Sequence, residues 1–462
     1  MHEVDVLVAG GGPAGAATAA AMARLGLRVL LADAGQDRRK QLAGELLHPI
    51  GIEELTRFGF AEVLASGGSP VVGFAVIEGE RTALLPYAPG NRGLGIEHHS
   101  LVEPLLGVVE RQGVEVRRRT RVGEVTDSAE HVEASLSREG QAERIRARIL
   151  VAADGRASPV RRGLGIPEEH TRLSTMLGVL VDRALLPHPD RGHLFIGGPW
   201  PVLAYAISAE RARVMVDLPL GSTQERLRSE PQLLSGLPGP LREGVLGALD
   251  REAPLVASND TRVPDAVVKG RVVLVGDAAG CCHPLSASGM ASAVRDARGL
   301  ETALASHPHD WNEALASYAR ARRPPNRTRI ALASALYEAF CSPSPEMAAL
   351  RRGMFRYWEH TRTGPRHSMS LLSTRETRMS VMAREYARVV AHGLLALGTG
   401  GVRGVVGPAL TLRAGSRLVA SALPHVKTAM AGAVEDRRLA LPAHVPAAGE
   451  AFAPSRASAS RS

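Results

Sequence analysis

Lysine is almost missing from this 462-residue chain: of 56 basic residues only Lys40, Lys269 and Lys427 are lysine, and the rest are arginine. Chemistry that needs a lysine anywhere between positions 40 and 269 is therefore excluded. Aromatic residues are scarce at 3%, and the three cysteines, Cys281, Cys282 and Cys341, are too few and too unevenly spaced for a disulfide framework or a four-ligand zinc site. No metal is expected. No apolar run reaches the about 18–20 residues of a spanning helix; the longest uncharged stretch, Val389 to Val402, is interrupted by glycines and ended by Arg403. No charged-then-apolar leader opens the chain, because Glu3 and Asp5 flank a short strand-like run. Zinc-finger spacing, an RNP-like aromatic pair and a heptad behind a basic run are all lacking, so no nucleic-acid partner is expected.

What is present is the composition of a large folded protein, with 45% apolar and 22% charged residues. The net charge of +9 is unevenly placed: residues 341–462 carry +10 and residues 1–340 carry −1. That basic quarter fits an acidic lipid surface, so the expectation is a cytoplasmic chain peripheral to the cytoplasmic membrane.

Residues 4–33 read as one βαβ unit: Val4–Ala9, the turn GGGPAG, an Ala-rich helix from Ala16, and the strand RVLLAD. Gly10, Gly12 and Gly15 fit the dinucleotide fingerprint, in which they permit a tight turn, a close approach of the pyrophosphate and helix-on-strand packing. Asp33 stands where a carboxylate accepts from a ribose hydroxyl. Two later strands end in related pairs, Asp154-Gly155 and Gly276-Asp277, each of which either approaches a cofactor or caps the next helix. Alternating runs at Val71–Ile77, Gly192–Ile196, Pro201–Ser208 and Arg213–Pro219 predict a second, antiparallel sheet. From Met290 onward helices are expected over Ala291–Leu304, Trp311–Arg323, Ile330–Phe340 and a long C-terminal region. GTGGVRG at 398–404 reads as a break between helices, and residues 436–462 as a disordered tail.

In order and spacing, the glycine fingerprint, Asp-Gly and Gly-Asp resemble the FAD domain of the group A flavoprotein monooxygenases. Several segments are further similar to the squalene monooxygenase (squalene epoxidase) family: GELLHP at 44–49, LLPYAP at 84–89, His98-His99, residues 201–219, GDAAGCCHPLSASGM at 276–290, and ALASALYEAF and GPRHSMSLLS in the C-terminal part. The resemblance implies an α/β fold: a Rossmann-type FAD-binding domain (1–70, 98–164 and 262–340) with an inserted antiparallel-sheet substrate domain (71–97 and 165–261). A C-terminal helical membrane-associating region would follow at 341–435.

The implied activity is insertion of one oxygen atom from O2 into a lipophilic alkene or prenylated substrate by way of a flavin hydroperoxide. NADPH or NADH would supply electrons, either by docking directly or through a separate reductase partner. Tyr87 and His283 would serve the reaction. Gly10, Gly12, Gly15, Asp33, Arg39, Glu45, Asp154, Gly155, Gly276, Asp277, Pro284, Gly289 and Met290 would hold FAD. One alternative is a tailoring oxygenase of a prenylated or alkylated quinolone or quinone; another is a flavin- and membrane-binding protein without turnover.

The chain departs from the family pattern at four places. Gln41 and Leu101 stand where arginines are usual, Ser69 stands near an expected glutamine, and Ala287-Ser288 replace the first two glycines of Gly-Gly-Gly-Met. A halogenase is disfavoured by the lack of a Trp-x-Trp-x-Ile-Pro segment and of the lysine such chemistry requires.

Overall fold

The computed structural model describes residues 2–35, 42–402 and 431–432. Arg39 and the 436–462 tail thus lie outside the described residues, as does most of 403–435. The chain forms three sheets. The largest has the parallel order Val272–Leu274, Gln141–Ala152, His2–Ala9, Val29–Asp33, Glu115–Arg118 at its centre. Its central strands are apolar on both faces: helices cover one, and on the other Leu7, Leu30 and Leu150 pack against Val122, Val132, Ala134 and Leu136 of the strands Arg121–Asp127 and Val132–Arg138. The Pro13–Arg24 helix, nine of whose twelve residues are buried and mostly alanine, lies close against it, and Gly289–Ser306 packs beside that helix.

The seven-stranded sheet runs Leu255–Pro264, Glu168–Asp182, Arg211–Leu218, Val202–Ala206, Gly192–Ile196, Gly73–Glu78, Arg81–Pro86. It is antiparallel except that Gly192–Ile196 runs parallel to Gly73–Glu78. Its side chains alternate between the two faces. Ala75, Val179, Ala204 and Val216 face the Gly239–Arg251 helix, while Phe74, Met176, Leu203 and Met215 face the C-terminal helices. The C-terminal segments Pro345–His360, Gly364–Leu372 and Met379–Val402 thus share one core with this face of the sheet. Among the described residues, no helix is long and apolar enough to cross a membrane.

Three expectations need correction. Val71–Ile77 is not one strand: Ser69–Val71 joins a small third sheet with Gly93–Gly95 and Leu46–Leu47. The chain turns at Gly73 (φ +150), where a Cβ would stand 2.3 Å from the Leu85 carbonyl oxygen. The helices expected on either side of Pro324-Pro325 are one helix, Trp311–Cys341. Two missing N–H donors are outweighed by buried anchors on both flanks: Arg322 pairs with Asp296 at 2.9 Å, and Arg329 donates to the Gly280 carbonyl at 3.1 Å. Residues 398–402, expected to break the last helix, continue it to Val402.

Candidate functional site

At the C-terminal end of His2–Ala9 the glycine turn opens a cavity of about 410 Å³ lined by Gly10, Gly11, Gly12, Asp33, Asp154 and Gly155 among others. The three fingerprint glycines do different work. Gly10 has φ +105, and a Cβ there would sit 2.4 Å from the Ala153 carbonyl oxygen. A Cβ on Gly15 would stand 1.8 Å from the Gly10 carbonyl oxygen, so helix and turn touch only because it is absent. At Gly12 a Cβ would meet nothing within 4 Å. Gly12 therefore borders open space directly at the N-terminus of Pro13–Arg24, where unpaired N–H groups and the helix dipole favour a pyrophosphate. Asp33 closes the far side; its carboxylate accepts from the N–H groups of Gly11 (2.7 Å) and Gly35 (3.0 Å).

Asp154 is occupied in capping: Oδ1 accepts from the Ser158 hydroxyl at 2.6 Å and Oδ2 from the Val160 N–H at 3.0 Å. It lines the cavity while fixing the loop, and its burial raises its pKa. Gly155 (φ +82) faces open space.

A second cavity, about 120 Å³, lies between the seven-stranded sheet and the 276–290 loop. Asp277, His283, Pro284, Gly289 and Met290 line it, opposite an apolar wall that includes Leu42, Leu46, Met176, Leu203 and Met215. A third cavity, about 240 Å³, shares Glu45 with the second and His98 with the first, so the three form a series along one side of the molecule. Gly276 (φ +58) lets the loop leave its strand against Ala14, whose Cβ a side chain at 276 would meet at 2.7 Å. The Gly276 N–H donates to Asp296 at 2.8 Å. Ala287 adopts the left-handed conformation (φ 50°, ψ 24°), so the chain keeps a glycine-type turn at an alanine. Cys281 is a packing residue: burial pushes its thiol up to about 12, which leaves it unreactive.

The remaining site residues take unforeseen partners. The Glu45 carboxylate is held by Arg213, with Nε to Oε2 at 2.8 Å and Nη2 to Oε1 at 2.9 Å, both side chains buried. Both oxygens thus tie the 42–47 segment to the seven-stranded sheet. Tyr87 does not line the second cavity. Its hydroxyl donates to His48 Nδ1 at 2.7 Å, while His48 Nε2–H donates to the Ser286 carbonyl at 2.8 Å; the carbonyl can only accept, and this fixes the tautomer. Burial lowers the His48 pKa to about 4 and keeps the ring neutral. Sequence reasoning passed over His48 although GELLHP contains it. Ser69 is buried with its hydroxyl unpartnered and makes no bond to Tyr87.

His283 packs against Tyr337 with ring centroids 4.6 Å apart and planes tilted by 36°, and its Nε2 lies 3.1 Å from Asp217 Oδ2. Asp217 was also missed; its signal was a lone carboxylate in the apolar run RVMVDLP. Among the described residues no cluster of His, Cys, Asp or Glu could hold a metal ion.

The open Gly12 cradle, the Asp33 wall and the loop led by Asp277 fit a flavin dinucleotide. Residues 3–331 match the family model for the FAD binding domain. The chain is 25% identical to squalene epoxidase 3 of Arabidopsis thaliana over 375 residues, which is 77% of this chain and 71% of the relative. It is 27% identical to the squalene monooxygenase of Mus musculus over 401 residues, 81% and 69% of the two chains. Among solved structures, PqsL of Pseudomonas aeruginosa in complex with 2-aminobenzoylacetate superposes with a TM-score of 0.63 at 25% identity, covering 74% of this chain and 97% of that one. The chain belongs to the FAD-binding-domain family and is a squalene-monooxygenase-like, FAD-dependent monooxygenase.

Proposed function

We propose that the protein adds one oxygen atom from O2 to an alkene of a lipophilic, isoprenoid-type substrate held between the 284–290 turn and the seven-stranded sheet. FAD supplies the oxygen-activating chemistry when bound, and NADPH or NADH, directly or through a separate reductase, supplies electrons. The observation that carries this reading is the wall opposite the turn. Leu42, Leu46, Met176, Leu203 and Met215 belong to one core with Phe340, Met347 and Trp358 of the C-terminal helices, so the cavity opens into apolar packing. Such a surface excludes water and receives hydrocarbon.

On this reading Gly12 and the helix behind it hold the pyrophosphate, and Asp33 the adenosine ribose. Asp277 and the Pro284–Met290 turn face the flavin, with backbone N–H groups of the turn steadying negative charge. Purified protein, FAD, a reductase and NADPH should convert squalene, or a prenylated quinoline, to a product heavier by one oxygen. Failure with both substrates overturns the proposal. A second reading, oxygenation of an alkylated aromatic, is favoured by the polar end of the cavity at Asn259 and His283, and by the likeness to PqsL; oxygenation of the quinoline alone would select it.

Peripheral membrane binding belongs to the same proposal. Leu394 and Leu395, 37% and 53% exposed, stand next to each other on Met379–Val402, one to three turns from the exposed Arg384 and Arg388. A Leu394→Ser/Leu395→Ser variant should sediment several-fold less with anionic liposomes; unchanged sedimentation places the lipid surface elsewhere.

A further inference from the structure

Four buried polar side chains from four separate segments converge behind the second cavity. Ser174 lies on Glu168–Asp182, Asp217 on Arg211–Leu218, Asn259 on Leu255–Pro264, and His283 on the 276–290 loop. Relative exposures are 0, 0, 4 and 1% in that order. The Ser174 hydroxyl and the Asn259 amide (3.0 Å) both donate to Asp217 Oδ1, and the amide also donates to Ser174 Oγ at 3.0 Å. Ser174 and Asn259 are cross-strand partners immediately after a register shift at Arg172/Ser174, the kind of bulge that re-aims a side chain. The cluster is therefore built into the sheet, and it fixes one carboxylate oxygen.

The other oxygen, Oδ2, lies 3.1 Å from His283 Nε2 without hydrogen-bond alignment, and the same nitrogen meets the Ser174 hydroxyl at 3.2 Å and the Asn259 amide at 3.3 Å. All three neighbours engage Nε2, so the ring is fixed through that nitrogen and Nδ1 is left over. Nδ1 is buried and has no partner among the described residues, while His283 lines the cavity. A buried ring nitrogen left unpaired is costly, which calls for a partner from outside the chain.

We propose that His283 Nδ1 forms a hydrogen bond with a polar group of a molecule bound in this cavity, and that Asp217, held by Ser174 and Asn259, is the positioning residue that presents it. The inference rests on the flavin-monooxygenase reading of the cavity and deepens it. Two sources carry that chemistry: the imide or ribityl hydroxyls of the flavin, and a phenol or amide head on the substrate.

The test compares wild type with His283→Phe, His283→Gln and Asp217→Asn. FAD affinity is measured by fluorescence titration of the apoprotein. Affinity for a prenylated phenol and for its methyl ether is measured by calorimetry. If the flavin is the partner, His283→Phe weakens FAD roughly tenfold and Gln, whose amide both donates and accepts, recovers most of it. If the substrate is the partner, FAD affinity holds while the phenol loses roughly tenfold; the ether keeps its affinity where Nδ1 accepts and loses with the phenol where Nδ1 donates. Asp217→Asn should move the same constant in the same direction, and it decides the matter should the Phe variant not fold. Folded variants that change neither constant overturn the proposal. Wild type that fails to take up FAD refutes the cofactor reading instead, and the phenol and ether still decide the pairing.

Discussion

The cradle at Gly10–Gly15 and the turn at Pro284–Met290 stand at the two ends of the series of cavities, and they are shaped by opposite means. The cradle is defined by side chains that are missing: no atom lies within 4 Å of a Cβ at Gly12, and a Cβ at Gly15 would nearly coincide with the Gly10 carbonyl. The turn is defined by side chains that are buried behind it. His48 and Tyr87 hold the Ser286 carbonyl, Arg329 holds Gly280, and Asp296 holds Gly276. A site made of backbone can grip a phosphate with little sequence, whereas a site that must place a reactive ring over a substrate takes its precision from packed neighbours.

The comparison breaks most visibly at the cradle. Gly12→Val fills the space without touching protein, at a φ of −72° that any residue adopts. FAD retention should fall by about 100-fold or more, since the phosphate would lose its contact with the helix N-terminus. The melting temperature of the apoprotein should stay within a few degrees of wild type. Gly15→Ala should behave oppositely and lower stability by about 3 kcal/mol, because helix and strand must separate. Equal loss of FAD and of stability in both variants would show that the two glycines share one role.

At the turn the sharper probe is pH. His48 has its pKa lowered from 6.5 to about 4 by burial, so the unfolded chain takes up the proton first as pH falls. Stability from this group is full above pH 6.5, declines between 6.5 and 4, and levels off below. The change amounts to roughly 3 kcal/mol. His193, also lowered to about 4 by burial, adds a parallel slope from the other side of the sheet, away from the turn. Denaturant midpoints of wild type and His48→Gln between pH 7 and 4 should therefore differ in slope by about half. Identical slopes would mean that the His48 ring is not held neutral.

The same contrast explains what could be read from the chain. GGGPAG, its flanking strands and Asp33 lie within thirty residues and act through backbone, so their role is written locally. The Gly276-Asp277 turn and the alternating strands at 192–196, 201–208 and 213–219 were legible for the same reason. The partners of the turn are far apart in sequence: His48 and Ser286 are 238 residues apart, Glu45 and Arg213 168 apart. Glu45 meets an arginine that no local pattern pairs with it. The helix through Pro324-Pro325 went unseen because its anchors, Asp296 and Gly280, belong to other elements.

Tyr87→Phe tests whether the tyrosine acts directly or through His48. With its hydroxyl donated to His48 Nδ1 at 2.7 Å, its removal leaves one buried acceptor unpaired and loosens the hold on Ser286. Stability should fall by about 1 kcal/mol. FAD should stay bound, and product formed per NADPH consumed should drop modestly, with hydrogen peroxide rising to match. His48→Gln should reproduce the uncoupling if the effect runs through the histidine. A normal His48→Gln beside a strongly uncoupled Tyr87→Phe would assign the tyrosine a direct part in the reaction.

The smallest effect is expected at Ala287, where the two ways of building a site meet. This residue holds φ 50° and ψ 24°, a conformation that a Cβ disfavours by about 1–2 kcal/mol, yet its N–H donates to the Pro284 carbonyl at 2.7 Å and completes the turn. Its side chain lines the second cavity and packs against the apolar core shared with the C-terminal helices. Ala287→Gly would relieve the strain but release more backbone freedom in the unfolded chain, at a cost of roughly 0.5–1 kcal/mol, and would give up the methyl contact. These terms nearly cancel, so the denaturant midpoint should move by less than about 1 kcal/mol in either direction. A gain above that would show that the turn is strained and held by its buried neighbours. A loss above it would show that the methyl group is part of the apolar wall, and that the alanine was kept for the substrate rather than for the flavin.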